Sequence, residues 1–221
     1  MSETAVRETI LSRLLDAPKS EMPLKPELMP FPEMAMGRDA LVERFTQNVA
    51  EQTGVVYRVK DNSDLIETLM RVLKEESITE LAASDDRILA SLTPDSLSDV
   101  SLKRRTDFED IFTFKEYLFN KADAGITGAD FAVAESGTLI ISHNTEKPRL
   151  VSLAPAIHIA VVKLENLLPV YEMAIEKIYE NEKPSQVTFI TGPSMTADIQ
   201  ATPFRGMHGP KKLIVFLVEL P

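Results

Sequence analysis

The sequence predicts an α/β protein in which a parallel or mixed β-sheet is covered by helices on both faces. Amphipathic segments with helical spacing alternate with short β-branched segments along most of the chain. Two apolar runs, His158–Leu164 and Leu213–Val218, have the continuous hydrophobicity of strands that are buried on both faces. The 221 residues are enough for one large domain or two small ones.

Residues 1–36 are predicted to form a helix and an extended linker. Apolar residues recur at helical spacing within Thr4–Leu15, namely Val6, Ile10, Leu11, Leu14 and Leu15. Prolines then exclude any regular element, because they lack the N–H group and fix φ; they are Pro18, Pro23, Pro26, Pro30 and Pro32. The helix either packs on the rest of the protein or reaches a partner. We expect packing, because an exposed apolar stripe is costly.

Residues 37–221 are predicted to form the main domain, which begins with a helix, a strand and a second helix. Asp39–Gln52 is amphipathic, and Gly54 is suited to the C′ position that ends it. Val55–Val59 has the composition of a strand. Leu65–Glu75 is predicted to be helical, with an N-cap at Asn62, Ser63 or Asp64.

Further elements follow the same alternation, with one polar stretch, Thr93–Thr106, that gives no clear prediction. The predicted helices are Asp85–Leu92, Phe114–Lys121 and Pro169–Tyr179, the last with proline in its first turn. The predicted strands are Leu81–Ser84, Thr138–Ser142 and Val187–Thr191, in addition to the two long apolar runs. Val187–Thr191 is also predicted to be buried on both faces.

Charge and cysteine content narrow the function classes. The formal charge of −10 repels phosphate backbones, so nucleic acid is not an expected partner. The adjacent Lys103, Arg104 and Arg105 form either a solvated basic turn, which we favour, or a phosphate contact. The chain has no cysteine, which excludes disulfides and thiolate-ligated metal centres within it. With three histidines and no H-E-x-x-H sequence, we expect no metal site.

The sequence also suggests a cytoplasmic location. No apolar run approaches the ~20 residues that a membrane-spanning helix requires. Residues 1–16 alternate charged and apolar residues and lack the apolar core of a signal peptide.

Two loops marked by glycine have the composition of a functional site. The segment from Ala132 to Thr138 places Glu135 beside two hydroxyls and a glycine. Glu135 is a candidate nucleophile, general base or ligand-orienting acceptor, or else a turn glutamate that binds main-chain N–H groups.

The segment from Thr191 to Asp198 follows a predicted strand, and Ser194 or Thr196 could cap a short helix there. Such a helix would offer free N–H groups to an anion.

A third segment, from Gly206 to Pro210, precedes the last predicted strand. His208 lies close to two glycines, which leave its imidazole uncrowded. It is either an acid–base or ligand-contacting residue, or it stabilises the loop through a hydrogen bond.

Taken together, the three segments resemble the lactate-utilisation (LUD) domain family in its protein C branch. The matching sequences, in order, are Ala134-Glu135-Ser136-Gly137-Thr138, Gly192-Pro193-Ser194-x-Thr196-Ala197-Asp198-Ile199 and His208-Gly209-Pro210, with Arg149 and Pro155 between the first two. The resemblance extends over about 37–219. The candidate catalytic residues are Glu135, to which the resemblance gives the role of nucleophile or base, and His208, which is a candidate from its own loop. The candidate ligand-binding residues are Ser136, Gly137, Thr138, Arg149, Gly192, Pro193, Ser194, Thr196, Asp198 and Gly209.

The resemblance implies a fold, a function and partners. The fold would be the three-layer α/β/α sandwich of the NagB/RpiA/CoA-transferase superfamily, with a mostly parallel sheet. The function would be that of a non-redox subunit in the oxidation of L-lactate to pyruvate, with a small-molecule site and two iron–sulfur partner proteins. The iron–sulfur clusters would lie in those partners, and this chain would hold no cofactor.

Two alternatives remain open. A stand-alone enzyme would act on an acyl thioester, a sugar phosphate or a folate-like compound, as superfamily relatives do, and a scaffold would use its surface alone.

Overall fold

The computed structural model describes residues 3–16, 31–144, 147–181, 184, 186–197 and 203–219. Its helices are α1 (Glu3–Leu15), α2 (Arg38–Glu51), α3 (Asn62–Glu75), α4 (Ile111–Asn120), α5 (Leu150–Leu153) and α6 (Tyr171–Asn181). Its strands are β1 (Val55–Val59), β2 (Glu80–Ala83), β3 (Ser101–Arg104), β4 (Ala124–Gly128), β5 (Phe131–Val133), β6 (Thr138–His143), β7 (Ile157–Lys163), β8 (Leu167–Leu168), β9 (Gln186–Ile190), β10 (Met195–Ala197), β11 (Pro203–Arg205) and β12 (Lys212–Val218). Short 3₁₀ helices lie at Pro32–Ala35, Arg87–Leu89, Pro94–Ser96, Arg105–Asp107 and Leu164–Asn166. The prediction of a helix over Asp85–Leu92 is therefore wrong apart from one 3₁₀ turn, and the exclusion of regular structure is wrong at Pro32.

The main sheet has six strands in the order β1-β12-β7-β4-β2-β3, and every neighbouring pair is parallel. Its central strands β7 and β12 are buried along almost their whole length, as their continuous apolar sequences predict. The predicted α/β class with a mostly parallel sheet is confirmed.

Helices cover both faces of this sheet. Helix α3 packs on one face through Leu65, Leu69, Val72 and Leu73. On the opposite face α2 contributes Phe45 and Val49, and α4 and α5 pack beside Ala82 of β2.

A second sheet, in the order β8-β5-β6-β9, shares that opposite face. Strands β5, β6 and β9 pair antiparallel in this sheet, and helix α6 covers its outer side. Strand β9 is therefore only half-buried, at the edge of the second sheet, so the predicted burial of Val187–Thr191 on both faces is wrong. Its short, apolar sequence does not distinguish an edge strand from a central one.

Two predicted helix ends differ in detail from the structure. Thr53, with φ 65°, occupies the left-handed position after α2 instead of Gly54. Gly54 N donates to Val49 O, and a Cβ at Gly54 would lie 2.6 Å from Val49 Cγ1. Gly54 is thus needed for close packing and not for its φ. Helix α3 is capped by Asp61, whose carboxylate accepts from the N–H groups of Ser63 and Asp64.

The polar stretch Thr93–Thr106 contains an edge strand, β3, and the basic run lies at its end. Arg104 is not a solvated turn residue, because its guanidinium donates to Ser84 O, Leu89 O and Leu92 O. It also pairs with Asp85 Oδ1 at 3.3 Å. Arg104 therefore fixes the segment between β2 and β3 by binding three of its main-chain carbonyl groups. Of the three basic residues, only Lys103 is exposed.

Helix α1 is present, but the expectation that its apolar stripe packs on the protein is wrong. Val6, Ile10, Leu11 and Leu15 are 41–80% exposed. Four prolines of the predicted linker, Pro18, Pro23, Pro26 and Pro30, lie outside the described residues. Among the helices that the structure describes, none combines the length and the hydrophobicity that crossing a bilayer requires.

Candidate functional site

Glu135 lies in the turn between β5 and β6, where it binds the first turn of α6. Its Oε1 accepts from Tyr171 N at 2.9 Å, and its own N–H donates to Pro169 O. A carboxylate at a helix N-terminus satisfies a main-chain donor and interacts favourably with the helix dipole. Of the two alternatives raised by the sequence, this geometry corresponds to the turn glutamate.

Hydroxyl groups connect the first loop to the second. Thr138 Oγ1 is fully buried and lies within hydrogen-bond distance of Ser136 Oγ at 2.9 Å and Thr191 Oγ1 at 2.7 Å. The phenol oxygen of Tyr171 is its third partner. A single threonine hydroxyl therefore ties the Glu135 turn, the start of α6 and the end of β9 together.

Gly137 is required by the packing of α2. It has φ +68°, and a Cβ there would lie 2.7 Å from Val49 N. Next to it, Asn48 Nδ2 donates to Ala134 O at 2.7 Å. The close approach that this glycine permits is made by a helix of the protein itself, so its presence is not a sign of a ligand.

The second loop forms a β-hairpin, and the predicted short helix with an N-terminal anion site is wrong. Thr196 lies in β10 and pairs with Phe204 of β11. Ser194 N donates to Pro210 O, and Gly206 N donates to Ser194 O. The N–H group of Ser194 is thus used by the third loop, and residues 195–197 form a strand in place of the predicted helix. Asp198 lies outside the described residues.

The second and third loops meet around one cavity of about 220 Å³, called the motif pocket below. Its lining residues are Ser152, Leu153, His158, Thr188, Phe189, Ile190, Thr191, Gly192, Pro193, Ser194, His208, Gly209, Pro210 and Leu213. Five predicted site residues are among them. His158 and Leu213 place the pocket at the amino ends of β7 and β12.

The other predicted site residues that the structure describes do not line the motif pocket; they are Glu135, Ser136, Gly137, Thr138, Arg149 and Thr196. Glu135 is not among the described residues that line it, and it is linked to the pocket through Thr138 and Thr191. Arg149 binds Gln186 Oε1 at 3.1 Å, beside the far end of β6. Five strand residues separate that end from Thr138, which is roughly 17 Å. The structure therefore does not bring Arg149 to Glu135.

His158 is a pocket residue that the motifs did not include. It is 1% exposed, and its Nε2 lies 2.9 Å from Thr127 Oγ1, whereas its Nδ1 has no hydrogen-bond partner. Burial, with a smaller contribution from His143, lowers the pKa of His158 to about 3. The imidazole is therefore neutral at physiological pH. The sequence did offer one signal for this residue, namely a histidine within a long apolar strand segment.

The buried imidazole predicts that acid destabilises the fold. The pKa of His158 is about 3 in the folded protein against an ordinary value of 6.5. Between these values the unfolded chain binds a proton that the folded chain does not, so the free energy of unfolding falls as pH falls. We expect this group to contribute about 1.4 kcal/mol per pH unit between roughly pH 6 and 4. Urea denaturation of the protein and of His158→Leu checks this, and an equally steep dependence in both would contradict it.

A larger cavity of about 720 Å³ lies at the carboxyl ends of β2, β4 and β7 and is called the carboxyl-end pocket. The chain leaves β2 toward the face covered by α3, through Leu89. It leaves β4 toward the opposite face, through Ala129. Neighbouring strands whose connections diverge form the crevice where open α/β sheets bind ligands. Sequence reasoning missed this pocket because strand order is not visible in the sequence.

Lys147 forms ion pairs with two carboxylates in the carboxyl-end pocket. Its Nζ lies 2.8 Å from Asp86 Oδ1 and 2.8 Å from Asp130 Oδ1. Asp86 also accepts from Gly128 N at 2.9 Å and from the hydroxyl of Ser84. Burial alone would lower the pKa of Lys147, but hydrogen bonds to Asp130 and Asp86 outweigh burial and raise it. The ammonium is thus held charged.

His143 connects the two pockets. Its side chain lines the carboxyl-end pocket, and its Nε2 lies 2.8 Å from Thr188 Oγ1, a lining residue of the motif pocket. Burial lowers the pKa of His143. Within the described ranges, no group of three or more His, Cys, Asp or Glu side chains is placed to hold a metal ion.

Comparison with protein families decides which family contains this chain. A family model described as LUD domain matches residues 42–218. The chain belongs to the LUD domain family. All three motifs of this LUD domain lie inside the matched span, and the resemblance drawn from them is confirmed.

Individual relatives of the LUD chain agree with this assignment. It is 29% identical to an uncharacterized protein of Neisseria meningitidis serogroup B, over 97% of this chain and 94% of that protein. It is 30% identical to a lactate utilization protein C of Macrococcus caseolyticus, over 76% of this chain and 72% of that one. For the lactate utilization protein C of Oceanobacillus iheyensis, 35% identity extends over 47% of each chain.

A solved structure shares the fold of this LUD domain. The crystal structure of a DUF162 family protein from Deinococcus radiodurans matches with a TM-score of 0.62 and 22% identity. The match covers 83% of this chain and 99% of that one.

Proposed function

We propose that this LUD protein is the non-redox member of an L-lactate-utilisation system in the cytoplasm, where two iron–sulfur proteins carry out the oxidation to pyruvate. The observation that carries the proposal is the family match, together with relatives that bear the name lactate utilization protein C. The absence of cysteine supports the division of labour, because thiolate-ligated clusters then have to lie in the partner proteins.

The small-molecule site of this protein is proposed to be the motif pocket. Gly192, Pro193, Ser194 and Gly209 form its wall, and the exposed His208 lies at its mouth. The motif residues of the first loop act indirectly. Glu135, Ser136 and Gly137 form the turn between β5 and β6, and the Thr138 hydroxyl is hydrogen-bonded to Thr191, which lines the pocket. Thr196 sits in the adjoining hairpin.

Genetic complementation tests the proposed function. Deletion of the gene should abolish growth on L-lactate as sole carbon source while leaving growth on glucose unchanged, and re-expression of the intact chain should restore growth. A deletion strain that grows normally on L-lactate would contradict the proposal. Co-purification of two iron–sulfur proteins with the tagged chain tests the assignment of partners.

The alternative, a stand-alone enzyme on an acyl thioester, a sugar phosphate or a folate-like compound, depends on Glu135 as nucleophile or base. The hydrogen bond from Tyr171 N already occupies one oxygen of this carboxylate. A helix-capping role requires only an acceptor oxygen, whereas a nucleophile or base requires the negative charge.

Substitutions at Glu135 separate these two roles. We expect Glu135→Gln to retain growth on L-lactate and near-normal stability, because the amide oxygen still accepts from Tyr171 N. Glu135→Ala should lose about 1 kcal/mol of unfolding free energy, as helix caps typically do. Growth curves and urea denaturation measure both. If Glu135→Gln folds normally but does not grow on L-lactate, the carboxylate itself takes part in the chemistry.

A further inference from the structure

Nδ1 of His158 is a buried polar atom without a hydrogen-bond partner, in a residue that lines the motif pocket. Buried polar atoms without a hydrogen bond are rare, and each one calls for an explanation. Among the described residues, the buried side-chain atoms that lack a partner are Arg44 Nε, Ser91 Oγ and His158 Nδ1. Of these three residues, only His158 lines the motif pocket.

The chemistry around His158 suits an uncharged polar group. The described lining of the motif pocket contains no lysine, arginine, aspartate or glutamate, and its second histidine, His208, is exposed. A carboxylate or phosphate placed inside would be desolvated without a cation, which is strongly unfavourable. Hydroxyl groups and apolar side chains such as Ile190 and Leu213 form the rest of the wall.

The imidazole is prepared for one further hydrogen bond. If Nε2–H donates to Thr127, Nδ1 accepts from a hydroxyl; in the other tautomer Nδ1–H donates to a hydroxyl or a carbonyl oxygen. The cavity of about 220 Å³ is smaller than pockets for drug-sized ligands. It therefore limits the ligand to a compact molecule.

We propose that the motif pocket binds a compact small molecule by its uncharged end, with a hydroxyl or carbonyl group hydrogen-bonded to Nδ1 of His158. Any acidic group of that molecule stays at the mouth, beside His208. The inference rests on the proposed function only in taking the motif pocket as the ligand site. This proposal excludes a phosphate or carboxylate bound inside the pocket. Such an anion would have been expected if the second loop formed the predicted helix, because helix N-termini bind anions.

Nitrogen NMR of the histidine side chains tests the proposal directly, because the chain has three histidines. The protein, labelled with ¹⁵N-histidine, is titrated with L-lactamide as an uncharged hydroxy compound and with inorganic phosphate as an anion of similar size. We expect L-lactamide to shift the Nδ1 resonance of His158 in a saturable manner and phosphate to leave it unchanged. His158→Leu should weaken L-lactamide binding about ten-fold, the upper range for one hydrogen bond.

Stability measurements show whether His158 is kept for binding or for the fold. A buried polar pair can be replaced by apolar groups of similar shape with little loss. We therefore expect the melting temperature of Thr127→Val/His158→Leu to equal or exceed that of the unchanged protein, while its L-lactamide binding is weakened about ten-fold, as in His158→Leu. Ile190→Phe narrows the cavity without changing the histidine, so it tests the pocket even if His158→Leu does not fold.

Three results would overturn the proposal: a His158 resonance that responds to phosphate alone, no response to L-lactamide, or unchanged L-lactamide binding by a folded His158→Leu or Ile190→Phe variant. A water molecule as the sole partner of Nδ1 corresponds to the second result. Growth of the deletion strain on L-lactate is independent of all three, so failure of the proposed function is recognised separately.

Discussion

Gly125→Ala should unfold the protein or reduce its unfolding free energy by at least ~4 kcal/mol, which is exceptional for one methyl group. Gly125 lies in β4, between Ala82 of β2 and His158 of β7. A Cβ at this position would lie 1.8 Å from Val151 O, a main-chain atom of α5. Relief requires displacement of α5 from the sheet, because neither backbone can move in a packed core without further loss.

Gly37→Ala is the matched control for this substitution. Gly37 precedes α2 and has φ −70°, and a Cβ there would meet nothing within 4 Å. We expect this variant to lose no more than about 1 kcal/mol, the range of N-cap effects. Circular dichroism and urea denaturation of both variants provide the comparison. Similar midpoints for the two variants would show that α5 does not press on β4 as described.

Lys147→Met should destabilise the protein by about 2–4 kcal/mol, because it leaves two carboxylates without their common counter-ion. Asp86 is 4% exposed on its side chain, so water cannot replace the lost ammonium. Asp130 is 25% exposed, so water can partly solvate its charge after Lys147 is replaced. Its contribution to the loss of unfolding free energy is therefore smaller than that of Asp86.

Lys163→Met is the control with the same change of side chain. Lys163 pairs with Glu165 on the surface, where both side chains are at least 40% exposed. Such pairs contribute little, so we expect a change within about 0.5 kcal/mol. The double variant Lys147→Met/Asp86→Asn should recover part of the lost stability, because the buried charge is removed while Gly128 N keeps an acceptor. If the double variant is less stable than Lys147→Met, charge compensation is not the role of Lys147.

The carboxyl-end pocket and the motif pocket lie at opposite ends of the main sheet, and they differ in the state of their polar groups. In the carboxyl-end pocket the ammonium group of Lys147 is already paired with two carboxylates. The motif pocket contains a buried histidine with an unused nitrogen. An incoming ligand replaces no existing hydrogen bond at that nitrogen, which is the physical reason for assigning the ligand site there.

Local sequence patterns predicted a helix or strand correctly where the spacing of apolar residues within that one segment is sufficient evidence. The spacing of Phe45 and Val49, and the continuous apolar run of β12, are properties of short segments. At the motif pocket the structure brings the second and third glycine-marked loops together, whereas the first loop does not line it. Segments that depend on distant partners were predicted less well, as at Arg104, whose acceptors lie 12–20 residues away.

The sequence by itself determined the α/β class, most of the helical and strand segments and the three loops whose residues resemble the LUD family. Only the tertiary structure decided what those loops do. The Thr191–Asp198 segment offers the same residues to a helix or to a hairpin, and pairing of β10 with β11 selected the hairpin. Gly137 permits a ligand or a helix to approach, and α2 occupies the space. The sequence shows His158 only as one residue of an apolar strand. The fold brings Thr127 to one of its nitrogens and makes His158 part of the lining of the motif pocket.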